Sequence, residues 1–389
     1  MTIGAMAGRS PPSPARDRRP VAAIYRSPLF NASESFVQAH AAGLRRYRPL
    51  LVGLEDKGNA GPELRGRLVV PRAAGAALAF KLFGAAGPLA DLLRPAAPRL
   101  VHAHFATDGL LALPLARALG VPLVTTLHGY DVSRSRARLL ASGRLSWIKY
   151  GLLGRRLMKQ GELFLAVADA VRERALAHGF PPGRTLTHYL GVDLDRFRPG
   201  GAAEPGLILH VGRLVEKKGA ATLLDAFARL RAAFPEARLV IVGDGPERAA
   251  LERRAGASVR FLGPRPPDEV AGWMRRASVL AAPSVTARDG DAEGLPTVLV
   301  EAAACALPAV ATLHAGIPEA VADGETGLLV PERDAAALAD RLGALLGSPE
   351  LRARMGAAAR ALAEARFDAR VQTARLEALY DSLPGQIRP

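Results

Sequence analysis

Short apolar runs alternate with longer Ala- and Leu-rich runs along most of the chain. The short runs have the length and composition of buried strands, whereas the longer runs repeat their apolar residues at helical spacing. This alternation predicts an α/β fold with parallel sheets. The predicted strands lie at 21–25, 50–54, 100–104, 123–127, 163–167, 185–189, 207–211, 238–242, 259–262, 279–282, 309–312 and 327–330. Predicted helices lie at 222–234, 246–255, 267–276, 335–346 and 349–366.

A Pro- and Gly-rich run at 197–205 interrupts this alternation halfway along the chain. Such a composition is typical of linkers, and 389 residues are too many for one ordinary core. We therefore predict two doubly wound, Rossmann-like domains whose carboxyl-end crevices face each other across one cleft. The predicted divisions are a disordered tail at 1–20, a first domain at 21–198, a linker at 199–205, a second domain at 206–366 and a terminal segment at 367–389.

Composition excludes several classes of protein. Cys305 is the only cysteine, which excludes a disulfide framework and fits a reducing compartment. Residues 1–20 contain no apolar core, so we do not interpret them as a signal peptide. The longest apolar run, 73–93, carries Lys81 and a Gly–Pro break, so we predict an amphipathic helix there and not a membrane span.

The net charge of +15 belongs to the first half of the chain. Residues 1–199 contain 29 basic and 13 acidic residues, and residues 200–389 contain 23 and 24. A basic field attracts nucleic acids, anionic lipids and acidic substrates alike. We find no zinc spacing, no aromatic RNA-binding strand and no convincing helix-turn-helix pattern, so we expect no nucleic-acid partner.

Two carboxylates, Glu293 and Glu301, stand eight positions apart around the start of an apolar helix. Pro296 suits the first position of that helix, where its missing N–H costs nothing. The helix N-terminus presents free backbone N–H groups to a phosphate or a sugar hydroxyl. A sugar and a ribose could each meet one carboxylate, with a diphosphate between them.

Two cations, Arg213 and Lys218, follow the predicted strand at 207–211. Gly212 permits a tight turn at the end of that strand. Preorganised positive charge at this place would stabilise a diphosphate leaving group as its bond to a sugar breaks. The alternative interpretation is that both cations are solvated loop charges. The corresponding alternative for Glu301 is a carboxylate on a helix surface.

The stretch 289–301 resembles the E-x7-E signature of retaining, sugar-nucleotide-dependent glycosyltransferases, family four of the GT-B fold. Other segments resemble family motifs and follow the family's order. They are HGYD at 128–131, GVD at 191–193 followed by RF at 196–197, GR at 212–213 followed by KKG at 217–219, and GDGP at 243–246. The resemblance runs from about residue 21 to the C-terminus, and segments 212–219 and 314–319 favour the exopolysaccharide, colanic-acid-like branch.

The resemblance implies a role for each matching residue. Glu293 would contact the donor sugar near the reacting carbon, Glu301 the ribose, and Arg213 and Lys218 the diphosphate. The remaining residues of the implied nucleotide-sugar site are Arg196, Gly212, Gly294 and Leu295. The resemblance also implies that the terminal helix crosses back to the first domain, and that transfer is a same-face displacement without a metal or other cofactor.

The HGYD segment implies a second catalytic residue, a histidine. His128 ends the predicted strand at 123–127, where α/β domains place their functional loops. The matching family histidine faces the donor sugar, and the alternative is a structural histidine. Asp131 belongs to the acceptor-side loop, where it would orient the backbone. We expect His102 and His104 on opposite faces of their strand, which is poor geometry for a metal, and we predict no metal site.

The chain departs from the family pattern after its first strand. Asn-Ala-Ser-Glu stands at 31–34 where many members carry a Gly-rich phosphate loop, which leaves Ser33 and Glu34 as candidate acceptor-side residues. Ala168 stands where the family commonly has Ser. Arg196 matches a basic position that reaches the donor phosphate, and a salt bridge between strands is its alternative role.

Residues 132–161 contain eight basic residues, no acid and interleaved Leu, Ile and Trp. Such a segment can lie on an anionic membrane surface, or it can be a domain helix with its Leu face in the core. Both interpretations stay open. We expect a cytoplasmic protein, with the inner face of the cell membrane as a candidate surface.

Taken together, these features predict a retaining glycosyltransferase of cell-surface polysaccharide biosynthesis. It would move a hexose from a nucleoside diphosphate sugar of the UDP or GDP type to a saccharide or lipid-linked saccharide acceptor. The alternatives are a GT-B sugar-nucleotide epimerase and a non-catalytic basic binding protein.

Overall fold

The computed structural model describes residues 17–29, 35–59, 61, 64, 67–71 and 74–385. Within them the first half of the chain forms one parallel sheet in the order β3-β2-β1-β4-β5-β6-β7. Its strands are β1 Val21–Tyr25, β2 Arg48–Val52, β3 Leu68–Val69, β4 Pro98–His104, β5 Leu123–Leu127, β6 Leu163–Ala166 and β7 Thr185–Thr187. Its helices are α1 Ser35–Gly43, α2 Ala74–Phe83, α3 Gly87–Leu93, α4 Ala106–Leu119, α5 Tyr130–Ser133, α6 Arg136–Leu140, α7 Leu145–Gln160 and α8 Asp169–Ala177.

The second half forms another parallel sheet, in the order β10-β9-β8-β11-β12-β13. Its strands are β8 Leu207–Val211, β9 Arg238–Val242, β10 Val259–Gly263, β11 Val279–Ala282, β12 Ala309–Thr312 and β13 Gly327–Val330. Its helices are α9 Ala220–Leu230, α10 Arg248–Arg254, α11 Pro267–Arg276, α12 Thr297–Ala304, α13 Ile317–Ala320, α14 Ala335–Gly347, α15 Pro349–Arg366 and α16 Ala369–Ser382.

In both sheets the first strand pairs in parallel with two neighbours, and the chain winds away from it in opposite directions. β1 lies between β2 and β4, and β8 lies between β9 and β11. Ligands of doubly wound sheets bind where the strand order reverses, outside the carboxyl ends of the strands. The ends of β1 and β8 therefore mark the crevices of the two sheets.

Helix α16 returns to the first sheet. The Glu377 carboxylate accepts backbone hydrogen bonds from Arg45, Arg46 and Tyr47, at 2.8, 2.7 and 3.1 Å between N and Oε1. Leu376 and Tyr380 are buried in the same apolar cluster as Val37 of α1. These contacts place α16 against the first half of the chain.

The structure corrects one helix and adds one strand. The apolar run predicted as a single amphipathic helix forms α2 and α3, because Gly84 adopts a φ of +70° and Pro88 lies in the first turn of a new helix. Among the described residues no single helix is long and apolar enough to cross a membrane. One bent pair, Gly75–Phe83 and Gly87–Ala96, meets that test together, with an angle of 114° between its members. The added strand is β3, which was not predicted because its two residues are too few to show the alternation of buried and exposed positions.

Candidate active site at the cleft between the two sheets

The carboxyl ends of the two sheets border a shared cleft of about 750 Å³. Both halves of the chain line it: Arg26 and Asp108 come from the first, and Arg213, Lys217 and Asp291 from the second. Arg213 directly follows the central strand β8 and its side chain is exposed. It is therefore placed where an anionic ligand of the second sheet can reach it.

Glu293 and Lys218 form an ion pair beside this cleft. Lys218 Nζ lies 2.8 Å from Glu293 Oε1, and both side chains are mostly buried, at 17% and 9% exposure. The contact is not aligned as a hydrogen bond, and Oε1 has no hydrogen-bond partner among the described residues. A buried carboxylate oxygen normally finds a donor. The Lys218 ammonium is therefore the group that compensates this buried oxygen.

The charge on Glu293 is kept by its cationic neighbours. Burial raises the pKa of this carboxyl, but Lys218 and Lys217 lower it further, so the net pKa is below its usual value. Its backbone is held as well, because Glu293 N–H donates to His314 Nε2 at 3.1 Å. His314 Nδ1 lies 2.6 Å from Glu332 Oε1 and donates to it. Glu293 is thus ionised beside the cleft, and His314 holds its backbone.

Glu301 lies about one turn into α12 and is half-buried, and its pKa is raised to about 7. Burial is the main cause, and Lys218, a hydrogen bond with Thr297 and Arg196 offset part of it. Pro296 is the residue that precedes α12 and not its first helical residue as predicted, a difference of one position.

Replacing Glu301 with Gln should stabilise the protein more at pH 8 than at pH 4.5. The folded pKa of about 7 exceeds the usual 4.5, so this carboxyl favours folding below 4.5 and loses that contribution as pH rises to 7. Gln removes the loss, because it carries no proton to release. Thermal unfolding of the two proteins at both pH values measures the effect, with the exposed Glu325→Gln as control. An equal change in Tm at both pH values would contradict the raised pKa.

The loops after β5 and before α12 touch across the cleft. Gly129 has a φ of +111°, and a Cβ there would lie 2.7 Å from Gly294 N. A Cβ at Gly294 would lie 2.3 Å from the His128 carbonyl oxygen. Gly316 N–H donates to Gly294 O at 3.1 Å, and Leu295 beside it is buried. The predicted site residues of the two halves are thus brought together by glycines that leave no room for a side chain.

We expect Gly294→Ala to lower kcat/KM for glycosyl transfer by about 100-fold, because misplacing reacting groups by about 1 Å costs this much. The added methyl must push the Glu293 loop away from His128. The fold should lose only about 1–3 kcal/mol, as other overpacked sites do. Gly256→Ala is the matched control, since a Cβ there meets no atom of the described residues within 4 Å. Unchanged kinetics in Gly294→Ala would show that this approach is not needed.

Asp131 holds the backbone of the HGYD loop. Its carboxylate accepts hydrogen bonds from the N–H groups of His128, Gly129 and Ala106, at 3.1, 3.0 and 2.9 Å. Burial raises its pKa to about 6, and these three bonds offset part of the rise. The geometry fits the loop-orienting role that the sequence suggested, because the carboxylate bonds to the loop's own backbone.

His128 sits over the aromatic rings of Phe105 and Phe36, with centroids 4.4 and 4.5 Å away. Burial, with Arg26 and His40 nearby, lowers its pKa to about 3. The imidazole is therefore neutral at physiological pH. A neutral ring offers one N–H donor and one lone pair to its surroundings.

The prediction that His102 and His104 point to opposite faces of β4 is wrong. Side chains alternate along a strand, so residues two apart share a face, and the two rings are stacked 5.1 Å apart at 9°. His40 from α1 joins them, and the three rings offer nitrogens within 4.8 Å of one another. The reason given for expecting no metal was thus incorrect.

Three other expectations change in detail. The family resemblance implies that Lys217 is the surface residue of the lysine pair 217–218, but it is only 17% exposed, and its Nζ lies 3.3 Å from Asp291 Oδ1. Arg196 pairs at 3.0 Å with Asp268 of α11, so its partner is on a helix and not on a strand. Gly212 does not adopt a positive φ, whereas Gly219, at the start of α9, does. Ser33 and Glu34 lie outside the described residues.

The basic segment 132–161 is only partly surface. Its main helix, α7, packs on α4 through Trp147, Tyr150, Gly154 and Leu157. The opposite side exposes apolar residues, with Leu152 at 56% and Leu145 at 41%. Part of its Leu-rich face is thus core, as the second interpretation expected, and part remains exposed.

Sequence reasoning missed the residues that join the halves. Arg134 Nη2 lies 2.5 Å from Asp289 Oδ2. The Glu319 carboxylate accepts the first N–H groups of α8, from Asp169 and Ala170, at 2.8 and 3.0 Å. No local sequence pattern predicts such pairs, since each joins residues about 150 positions apart.

Comparisons with known proteins agree with this architecture. The family described as glycosyl transferases group 1 matches residues 192–362, and glycosyltransferase family 4 matches residues 34–196. A putative colanic acid biosynthesis glycosyltransferase, WcaL of Salmonella typhimurium, is 35% identical over 65% of this chain and 63% of its own length. The amylovoran biosynthesis glycosyltransferase AmsK of Erwinia amylovora is 32% identical over 63% and 61%. The matches to these two relatives thus span less than two thirds of their length.

A longer match is with the GDP-mannose-dependent alpha-(1-6)-phosphatidylinositol monomannoside mannosyltransferase of Mycolicibacterium smegmatis, 34% identical over 72% of this chain and 78% of that relative. Among solved structures, Anabaena HepE in complex with UDP and glucose superposes with a TM-score of 0.75 at 20% identity, covering 94% of this chain and 100% of that one. Sucrose-phosphate synthase from Thermosynechococcus elongatus gives 0.71 at 21%, covering 93% and 98%. The chain therefore belongs to glycosyltransferase family 4 and has the GT-B fold predicted from its sequence.

Proposed function

We propose that this protein transfers a hexose from a nucleoside diphosphate sugar to a saccharide or lipid-linked saccharide, with retention of anomeric configuration. The Glu293–Lys218 pair carries the proposal, because it sets a buried carboxylate against a cation suited to a phosphate at the carboxyl ends of the second sheet's strands. Glu301 then serves the ribose, Arg213 the diphosphate and His128 the transferred sugar.

The proposed reaction exchanges one bond for another on the same face of the sugar. The bond from the anomeric carbon to the phosphate oxygen breaks as the acceptor oxygen bonds to that carbon, and the acceptor's proton passes to the departing phosphate. Lys218 and Arg213 stabilise the charge that develops on the diphosphate. Because these cations supply that charge, we propose that transfer needs no metal ion or other cofactor.

The donor is proposed to be of the UDP or GDP type. Both chemistries occur among the similar proteins: HepE is described with UDP and UDP-glucose, and the mycobacterial relative is named GDP-mannose-dependent. The relatives named for colanic acid and amylovoran biosynthesis support a cell-surface polysaccharide as the product.

We further propose that the protein works in the cytoplasm, on the inner face of the cell membrane. The first half carries the basic surplus, and exposed apolar side chains accompany it: Leu78, Phe83 and Leu92 of α2 and α3, and Leu152 of α7. Basic and apolar groups on one surface favour anionic lipid. Sedimentation with anionic and with neutral vesicles tests this proposal, and equal sedimentation would count against it.

The first experiment is thermal unfolding with UDP, GDP, ADP or TDP, each with and without EDTA. A ligand at 100 times its Kd stabilises the folded state by about 2.7 kcal/mol. We expect one nucleotide to raise Tm regardless of EDTA, with the shift lost in Arg213→Ala and Glu301→Ala. Arg238→Ala is the control, since that exposed arginine lies at the amino end of β9 and pairs with Glu204. No shift with any nucleotide would contradict the proposed donor site.

A further inference from the structure

A chain of hydrogen bonds runs from His128 into the interior of the first domain. His128 Nε2 lies 3.0 Å from His104 Nδ1, and His104 Nε2 lies 2.9 Å from His40 Nδ1. His40 Nε2 then meets the Tyr380 hydroxyl at 2.9 Å. Tyr380 belongs to α16, so the last helix of the protein reaches the candidate active site through two imidazole rings.

The chain continues beyond this tyrosine and ends at a threonine. The Tyr380 hydroxyl also lies 2.5 Å from His102 Nδ1, and His102 Nε2 lies 2.7 Å from Thr126 Oγ1. We call the series His128, His104, His40, Tyr380, His102 and Thr126 the histidine–tyrosine chain.

The contacts favour hydrogen bonds over a metal at the three clustered histidines. Both ring nitrogens of His40, His102 and His104 have a partner within 3.0 Å. A metal ligand must instead direct a lone pair at the ion. Burial also lowers the pKa of all three rings, so each is neutral and carries one proton on one of its two nitrogens.

Because each neutral ring carries only one proton, the directions of all the hydrogen bonds in the chain depend on one another. A neutral ring that accepts a hydrogen bond at one nitrogen must donate at the other, and the Tyr380 hydroxyl donates to one neighbour and accepts from the other. Only two arrangements therefore satisfy the chain throughout. In one, every hydrogen bond points from Thr126 toward His128, and in the other every bond points the opposite way.

Thr126 decides between the two arrangements. Its hydroxyl is buried, and within the described part of the chain His102 is its one side-chain hydrogen-bond partner. If His102 donated to it, the threonine proton would be buried without an acceptor, which is unfavourable. Thr126 therefore donates to His102, His102 to Tyr380, Tyr380 to His40, and His40 to His104. His104 Nδ1–H then donates to His128 Nε2.

We infer that His128 carries its proton on Nδ1 and presents it as an N–H donor to an oxygen of the bound saccharide, and that His104, His40 and Tyr380 are positioning residues that fix this tautomer. His128 Nδ1 has no hydrogen-bond partner among the described residues, the residue is half-buried, and its backbone carbonyl adjoins Gly294 of the Glu293 loop. The role toward a saccharide rests on the proposed function, whereas the tautomer does not. His128 is then a hydrogen-bond donor and not the base that takes the acceptor's proton.

The tautomer is measured directly by ¹⁵N NMR of protein labelled at its histidines, because protonated and unprotonated ring nitrogens resonate far apart. We expect His128 to show a protonated Nδ1 and an unprotonated Nε2, with the resonances assigned by their loss in His128→Gln. A protonated Nε2 would overturn the inference and leave the transferase proposal standing. Displacement of the His40, His102 and His104 resonances by added Zn²⁺ would overturn it too, in favour of a metal site.

Two neighbouring threonines provide a matched pair of variants. Thr126→Val removes the hydroxyl that sets the direction of the chain, so we expect the His128 spectrum to show both tautomers. Thr125→Val deletes the adjacent buried hydroxyl, which has no hydrogen-bond partner within the described part of the chain, and should leave the spectrum unchanged. Tyr380→Phe interrupts the chain. Tyr47→Phe is its control, because the Tyr47 ring packs against Tyr380 and its hydroxyl donates to Asp381 of the same helix. An unmixed His128 tautomer in both Thr126→Val and Tyr380→Phe would refute the positioning role.

Kinetics then test which nitrogen serves the substrate. Asn at 128 can place an N–H group near the position of Nδ1, whereas Gln places one near Nε2. We expect His128→Asn to retain at least ten times the kcat/KM of His128→Gln. The reverse order would overturn the donor role of Nδ1–H. Absence of transfer by the wild-type protein would instead count against the proposed function, and the NMR result would be unaffected.

Discussion

Glu293→Gln is expected to lower kcat/KM for glycosyl transfer by about 1,000-fold, in line with the loss of a preorganised electrostatic group. Glutamine keeps the shape of the side chain but removes the charge that pairs with Lys218 and that we propose faces the sugar. The amide can still meet one hydroxyl, so donor binding should weaken less than turnover. Most of the loss should therefore fall on kcat.

The measurement is initial transfer rate against donor concentration, with the thermal unfolding curve recorded on the same sample. Glu325→Gln, an exposed change on a turn of the second half, serves as the control and should keep wild-type kinetics. Wild-type turnover in a folded Glu293→Gln protein would remove this residue from the mechanism.

Lys218→Met is expected to reduce both stability and turnover. The substitution leaves the buried Glu293 carboxylate without its nearest cation, and removing one member of a buried pair costs about 3–5 kcal/mol. Because Lys218 is the strongest influence that lowers the pKa of Glu293, that pKa should rise in the variant. Turnover should fall by about 100-fold or more, since the diphosphate loses a preorganised charge.

Lys217→Met is the matched control, since both lysines are 17% exposed. Its partner Asp291 is 25% exposed and 3.3 Å away, so the loss should be about 1 kcal/mol or less. Chemical denaturation and steady-state kinetics of the two variants give the comparison. If Lys217→Met proved the more damaging, the assignment of Lys218 to the central pair would be wrong.

The sequence by itself determined the layout of the molecule. Strands such as Leu123–Leu127 and Leu207–Val211 occur at the predicted residues, because a buried parallel strand must be apolar over its whole length. The ends of these strands located the HGYD loop and the cations at 213 and 218. A period of two also places His102 and His104 on one face of their strand, so the misassigned faces were predictable from the sequence.

Only the tertiary structure decided which distant residues meet. Tyr380 reaches His102 across 278 positions, and the Gly294 backbone touches His128 across more than 160. Pairing at such distances depends on how two sheets and a returning helix pack, and local propensity carries no information about it. The same holds for protonation. The pKa of about 7 at Glu301 and the proton on His128 arise from burial and from neighbours that folding alone brings together.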